Sequence, residues 1–165
     1  MTREIRFDLS RRPVQPAGGI WAYDNGGGID ISAGFTDITM DTEGYKNSDW
    51  FTFTATNAPI TIVLAGVYEV AYYIGTEVTS GTNRDSSAAR LMLDTGGGFA
   101  EMAGTRGPMY NRQAGEGYGQ AAVSIIRSFS AGDIVKLQAG KLTGSDTVKT
   151  VADTCGITIK SFLPD

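Results

Sequence analysis

The chain has 165 residues, a formal net charge of −4 and no histidine, and its length suffices for one domain with its own core. A single cysteine excludes an internal disulfide, and the lack of histidine removes the commonest general base along with Ser-His and Cys-His nucleophiles. No stretch is long and apolar enough to span a bilayer as a helix, and 22 glycines favour short strands joined by turns.

The amino-terminal region differs in charge from the rest. Residues 1–16 carry Arg3, Arg6, Arg11 and Arg12 against Glu4 and Asp8, a balance of +2, and the remaining ten basic and sixteen acidic residues sum to −6. The opening MTREIRF lacks the apolar run of a secretory signal. Glu4–Ser10 alternates strictly, so Ile5, Phe7 and Leu9 fall on one face of a strand. Arg11-Arg12-Pro13-Val14-Gln15-Pro16 is extended, because proline disfavours helix for itself and its predecessor. Two glycine clusters bracket Ile20-Trp21-Ala22-Tyr23. Residues 1–28 are therefore expected to be an arm and residues 29–165 the body. The alternative is that the first region supplies the body's own first strand.

From Ile29 onward the pattern is strand after strand. Predicted strands are Phe35–Met40, Trp50–Ala55, Ile60–Leu64, Val67–Thr76, Ala88–Leu93, Gly119–Phe129, Ile134–Ala139 and Ile157–Phe162. Within ITIVLAGVYEVAYYI, Ala65-Gly66 separates two apolar runs and marks a bend. Ser130-Ala131-Gly132-Asp133 is a turn with a mechanism, since glycine supplies positive φ and aspartate bonds nearby backbone. The segments Thr79–Ser87, Thr95–Gly98, Ala103–Gly119 and Lys141–Lys149 are expected as polar connections. This grammar predicts an all-β antiparallel sandwich of jelly-roll type, with a single barrel as the nearest rival. Cys155, in DTCGITIK, is expected as a small buried hydrophobe of a terminal strand.

Gly66-Val67-Tyr68-Glu69-Val70, then Ser128-Phe129-Ser130-Ala131-Gly132-Asp133-Ile134-Val135, then Cys155-Gly156-Ile157-Thr158-Ile159, follow in an order that resembles the C1q/TNF-like jelly-roll family over residues 35–162. The resemblance implies a homotrimer with one sheet of each subunit facing a three-fold axis. It places Tyr68, Val70 and Tyr72 in the core, and Glu69, Ala71 and Tyr73 at the trimer interface. Without a stalk repeat, the chain resembles most the decoration (cement) proteins of bacteriophage capsids. That likeness implies a structural virion protein, made in the host cytoplasm, that stabilises contacts between capsomers. Its arm, through Ile5, Arg6, Phe7, Leu9, Arg11, Arg12, Ile20 and Trp21, would bind the major capsid protein.

The alternative function is a trimeric receptor- or glycan-binding head of a phage fibre. Asn83, Arg84, Asp85, Tyr110, Asn111 and Tyr118 would then lie on exposed binding loops. An enzyme is not expected, because the acidic pairs Asp41/Glu43 and Asp146/Asp153 read as solvated loop charges. No cofactor, metal, nucleic acid or membrane partner is expected; the acidic body lacks the clustered Lys and Arg of a phosphate footprint.

Overall fold

The computed structural model describes residues 18–163. These form thirteen strands: β1 (Gly19–Asp24), β2 (Thr36–Asp37), β3 (Thr42–Lys46), β4 (Phe51–Thr52), β5 (Ile60–Ile62), β6 (Gly66–Ser80), β7 (Asp85–Asp94), β8 (Ala100–Glu101), β9 (Gly107–Asn111), β10 (Gly119–Phe129), β11 (Ile134–Thr143), β12 (Thr147–Thr150) and β13 (Cys155–Leu163). All pairings between these strands are antiparallel. A front sheet runs β10-β6-β13-β1-β3, with β12 on the far end of β6. A back sheet runs β4-β5-β11-β7-β8, with β2 on β11 and β9 on β7. The two sheets enclose one core, as a jelly-roll sandwich requires.

Alternation along β6 sets the inside of the front sheet. Tyr68, Val70, Tyr72 and Ile74 are buried, whereas Val67, Glu69, Ala71 and Tyr73 lie half-buried on the outer face. Tyr68 anchors one end of the core with its ring edge-on to Trp50, Phe51 and Phe129. Tyr72 ties the sheets together: its hydroxyl donates to the carbonyl oxygens of Thr105 at 2.8 Å and Ala89 at 3.2 Å. Burial pushes that phenol up to about 12. The back sheet supplies Leu91, Leu93, Val135, Leu137 and Ala139. The turn at 130–133 has the expected construction, with Gly132 at φ 91° and the Ser130 N–H donating to Asp133 Oδ2 at 2.9 Å.

The main strands fall where the sequence predicts, and β10 matches its predicted bounds. β6 runs four residues beyond Thr76, while Phe35–Met40 and Trp50–Ala55 shrink to two-residue strands. Four strands were not expected: β3, β8, β9 and β12. For residues 19–24 the alternative reading of the first region holds, that it supplies the body's own first strand. They are not arm but β1, an inner strand paired with β13 on one side and β3 on the other. The body therefore begins before residue 29. Ile20 is buried in its core. Ile5, Arg6, Phe7, Leu9, Arg11 and Arg12 lie outside the described residues.

Candidate functional site: the outer face of the front sheet

Register across five strands aligns the outward side chains in rows. One row is Ala122, Tyr73, Gly156, Tyr23; the next is Ser124, Ala71, Thr158, Trp21, Tyr45; the third is Ile126, Glu69, Lys160, Gly19. The result is an aromatic ridge set among small residues. Trp21 stacks on Tyr23 with centroids 4.9 Å apart and planes 20° from parallel, and the Trp21 indole N–H donates to the Tyr73 hydroxyl at 3.4 Å. Two glycines seat the rings. A Cβ on Gly156 would sit 2.5 Å from the Tyr73 ring, and one on Gly44 would sit 2.3 Å from the Trp21 ring. Both rings therefore lie close over sheet backbone, an approach that a side chain would block.

Depressions flank this ridge. One, of about 390 Å³, lies beside Gly19, Trp21 and Tyr45, and another of about 380 Å³ lies between Tyr73 and Gln120–Ala122. Trp21 remains 41% exposed, Tyr45 57% and Ile126 60%. An amphipathic aromatic surface with this relief suits a protein contact, because Trp and Tyr supply large contact area at low entropic cost. The charge on this face is locally matched. Ser124 Oγ donates to Glu69 Oε1 at 2.8 Å, and Lys160 Nζ stands 3.8 Å from Glu69 Oε2.

The outer face of the back sheet is built differently. Arg90 lies over the Phe35 ring at 3.7 Å, bonds Gln138 Oε1, and pairs with Glu101 at 2.8 Å. Arg106 also pairs with Glu101, while Lys136 pairs with Asp37 at 2.8 Å and Gln138 donates to Asp37 at 2.7 Å. The two arginines hold the Glu101 carboxyl below the usual range, the Arg106 hydrogen bond being the larger influence. This lattice satisfies its own charges across four strands. The front face has far fewer such bonds and more bare aromatic surface.

The predicted site residues separate accordingly. Glu69, Ala71 and Tyr73 do share the outer face of β6, and Trp21 joins them there as part of the sheet. Asp85 and Asn111, expected on exposed loops, are instead fully buried where β7 and β9 pair. Asn111 is held by Thr76 Oγ1 at 2.6 Å and donates to Ser87 Oγ at 2.8 Å. Polar identity had suggested solvent, but each residue alternates onto the inner side of its strand. Asn83, Arg84, Tyr110 and Tyr118 are exposed. The Asn83 amide is nevertheless committed to Asp146 and Ser145. Tyr23, Tyr45, Gly44 and Gly156 were missed as site residues; the period-two placement of Trp21 and Tyr23 was the available signal.

Cys155 lies buried on the inner side of β13, and burial pushes its thiol up to about 11. Native protein at pH 8 is expected to leave this thiol unreacted with Ellman's reagent over minutes. Denatured protein should release one equivalent. Rapid native labelling would contradict the placement of β13.

Solved structures of similar fold include murine APRIL at pH 8.0, with a TM-score of 0.61 and 8% identity, the match covering 88% of this chain and 99% of that one. Another is Eiger TNF from S. frugiperda, with a TM-score of 0.59 and 14% identity, covering 92% of this chain and 96% of that one. No protein-family model and no curated protein sequence matches. The fold is a TNF-like jelly roll, and at these identities the likeness is one of fold.

Proposed function

We propose that the chain works as a homotrimeric structural protein whose subunits meet through the outer face of the front sheet. The observation that carries this reading is the ridge of Trp21, Tyr23, Tyr45 and Tyr73 seated on Gly44 and Gly156. It is a surface made for contact, on a fold whose opposite face satisfies its own charges. Glu69 takes a place near the axis with Ser124 and Lys160 as its partners. The setting that best fits a structural trimer with a basic arm is the outside of a bacteriophage capsid. There the protein decorates the shell and stabilises contacts between capsomers, and the arm residues Ile5, Arg6, Phe7, Leu9, Arg11 and Arg12 engage the major capsid protein.

Two measurements test the two levels of this reading. Sedimentation equilibrium at micromolar concentration is expected to give three times the 17.5 kDa chain mass; a clean monomer would overturn the trimer. Deletion of residues 2–16 is expected to leave a folded trimer that no longer co-sediments with capsids. Retained capsid binding would remove the arm's role, and loss of folding would make the segment part of the sandwich.

A trimeric receptor- or glycan-binding head is the second reading. It is favoured by Tyr110 and Tyr118, 53% and 59% exposed, since exposed aromatic rings can stack on sugars. A glycan array showing no binding would count against it.

A further inference from the structure

We infer that Asn25–Gly26 is a deamidation site held shut by Asp41, a latent chemical change at one end of the aromatic ridge. Of the five asparagines, at 25, 47, 57, 83 and 111, Asn25 alone precedes a glycine. Asn25 and Gly26 are both exposed on the turn that follows β1. Among the described residues, the hydrogen bond at Asn25 uses its backbone N–H and leaves its side-chain amide uncommitted. Asn83, by contrast, spends its amide on Asp146 and Ser145.

The reaction is a ring closure along the chain, with water as its only co-reactant. The Gly26 nitrogen, on losing its proton to solvent hydroxide, attacks the Asn25 Cγ. A C–N bond forms, the bond from Cγ to the side-chain nitrogen breaks, and that nitrogen leaves as ammonia with a proton taken from water. Water then opens the succinimide at either carbonyl, leaving aspartate or isoaspartate in place of Asn25. Glycine favours the closure, because no Cβ obstructs its nitrogen and its backbone turns freely.

The fold keeps that proton in place. Pairing of Tyr23 with Thr42 sets Asp41 beside the turn. The Gly26 N–H donates to Asp41 Oδ2 at 3.0 Å and to Asp24 Oδ1 at 3.1 Å. Asp41 Oδ1 accepts the Asn25 N–H and the Thr42 hydroxyl, each at 2.8 Å. These donors, the Asn25 N–H foremost, hold the Asp41 carboxyl below its usual range, so it is an anion at neutral pH. A carboxylate is far too weak a base to take an amide proton. Deprotonating Gly26 instead exchanges a charge-assisted hydrogen bond for two negative charges face to face. The Gly27 N–H, on Asp24 Oδ1 at 3.0 Å, and the Gly28 N–H, on the Thr150 carbonyl oxygen at 2.8 Å, restrain the backbone further. The turn also ties the end of β1 to the turn before β13, through the Asp153 N–H on the Asp24 carbonyl oxygen at 3.1 Å. Isoaspartate adds a carbon to the backbone, which shifts the Gly26 and Gly27 N–H groups off Asp24 and loosens the strand that carries Trp21 and Tyr23.

The test incubates the full chain in mildly alkaline buffer and follows each asparagine by peptide mass mapping. Asp41→Ala, at an exposed position, is expected to speed conversion at Asn25 about tenfold, as loss of a hydrogen bond to a charged group implies. Circular dichroism checks that the variant is folded. Gly26→Ala added to Asp41→Ala should cancel the gain; the new Cβ stands 3.3 Å from the Asp41 oxygen that the first change removes. Where Asp41→Ala does not fold, the unmodified chain in buffer is compared with the same chain in urea, which should convert at least about tenfold faster. A folded Asp41→Ala protein no faster than the unmodified one would overturn the guard, as would equal rates in buffer and urea. Equal acceleration at Asn47 and Asn57 would overturn it too, by showing general loosening.

Discussion

Replacing Tyr68 by alanine is expected to cost about 3–5 kcal/mol of stability, the range for removing a large buried aromatic side chain. Tyr68 is fully buried, and its ring meets Trp50, Phe51 and Phe129 edge-on with centroids 6.1, 5.8 and 6.0 Å away. Those three rings come from the loop before β4, from β4 itself and from the end of β10, so the cavity would open where both sheets converge. The hydroxyl adds a hydrogen bond to the Leu64 carbonyl oxygen at 2.5 Å, closing the bend between β5 and β6. Tyr68→Phe keeps the ring and loses that bond alone, at about 1 kcal/mol. Urea unfolding at one fixed protein concentration checks the ordering, with m unchanged if the native and denatured states keep their compactness. A Tyr68→Ala loss below that of Tyr68→Phe would contradict this core.

Ala71→Arg is expected to dissociate the proposed trimer while leaving the sandwich folded. Ala71 lies mid-face, flanked across the register by Ser124 and Thr158, and borders a shallow depression with Glu69 and Lys160. An arginine there can extend outward in a single subunit without entering the core. In a three-fold assembly the substitution brings three cations into one contact, and like-charge juxtaposition costs several kcal/mol. Since about 1.4 kcal/mol is a factor of ten, association should weaken at least 100-fold. Sedimentation velocity reads the change in mass, and near-ultraviolet circular dichroism checks that the aromatic core persists. Ser48→Arg, at an exposed position away from β6, serves as the control and should leave the mass unchanged. An Ala71→Arg protein that stays trimeric would remove this face from the interface.

Much of the sandwich was legible because its longest strands are apolar runs bounded by turn signals. In β6 the run Gly66–Ile74 reads as a strand, but Val67, Ala71 and Tyr73 are as apolar as their buried neighbours, so it was the resemblance to the C1q/TNF-like jelly roll that placed Tyr68, Val70 and Tyr72 inward, as they are. β9 shows the opposite case. Its buried positions are Gly107, Met109 and Asn111, only one of them a large apolar side chain, so no alternation announced a strand. β12 has the same defect, with Val148 and Thr150 as its inward pair. Ile20 and Trp21 misled for another reason: flanking glycines suggest flexible joints, yet Gly19 pairs with Lys160 and begins a strand bonded on both sides.

The amino-acid sequence by itself determined the all-β class and the jelly-roll expectation, because alternation and turn chemistry are local properties of the chain, while the inward set on β6 came from the family resemblance. Tertiary structure alone decided the rest. Asp85 and Asn111 are inside because β7 and β9 pair there, and a polar residue carries no sign of which face it will take. Trp21, Tyr45, Tyr73 and Gly156 form one surface because strands far apart in the chain pair in one particular register. A one-residue slip of β1 alone would turn Trp21 and Tyr23 inward and break the ridge, so the surface belongs to the pairing of strands and not to any one segment.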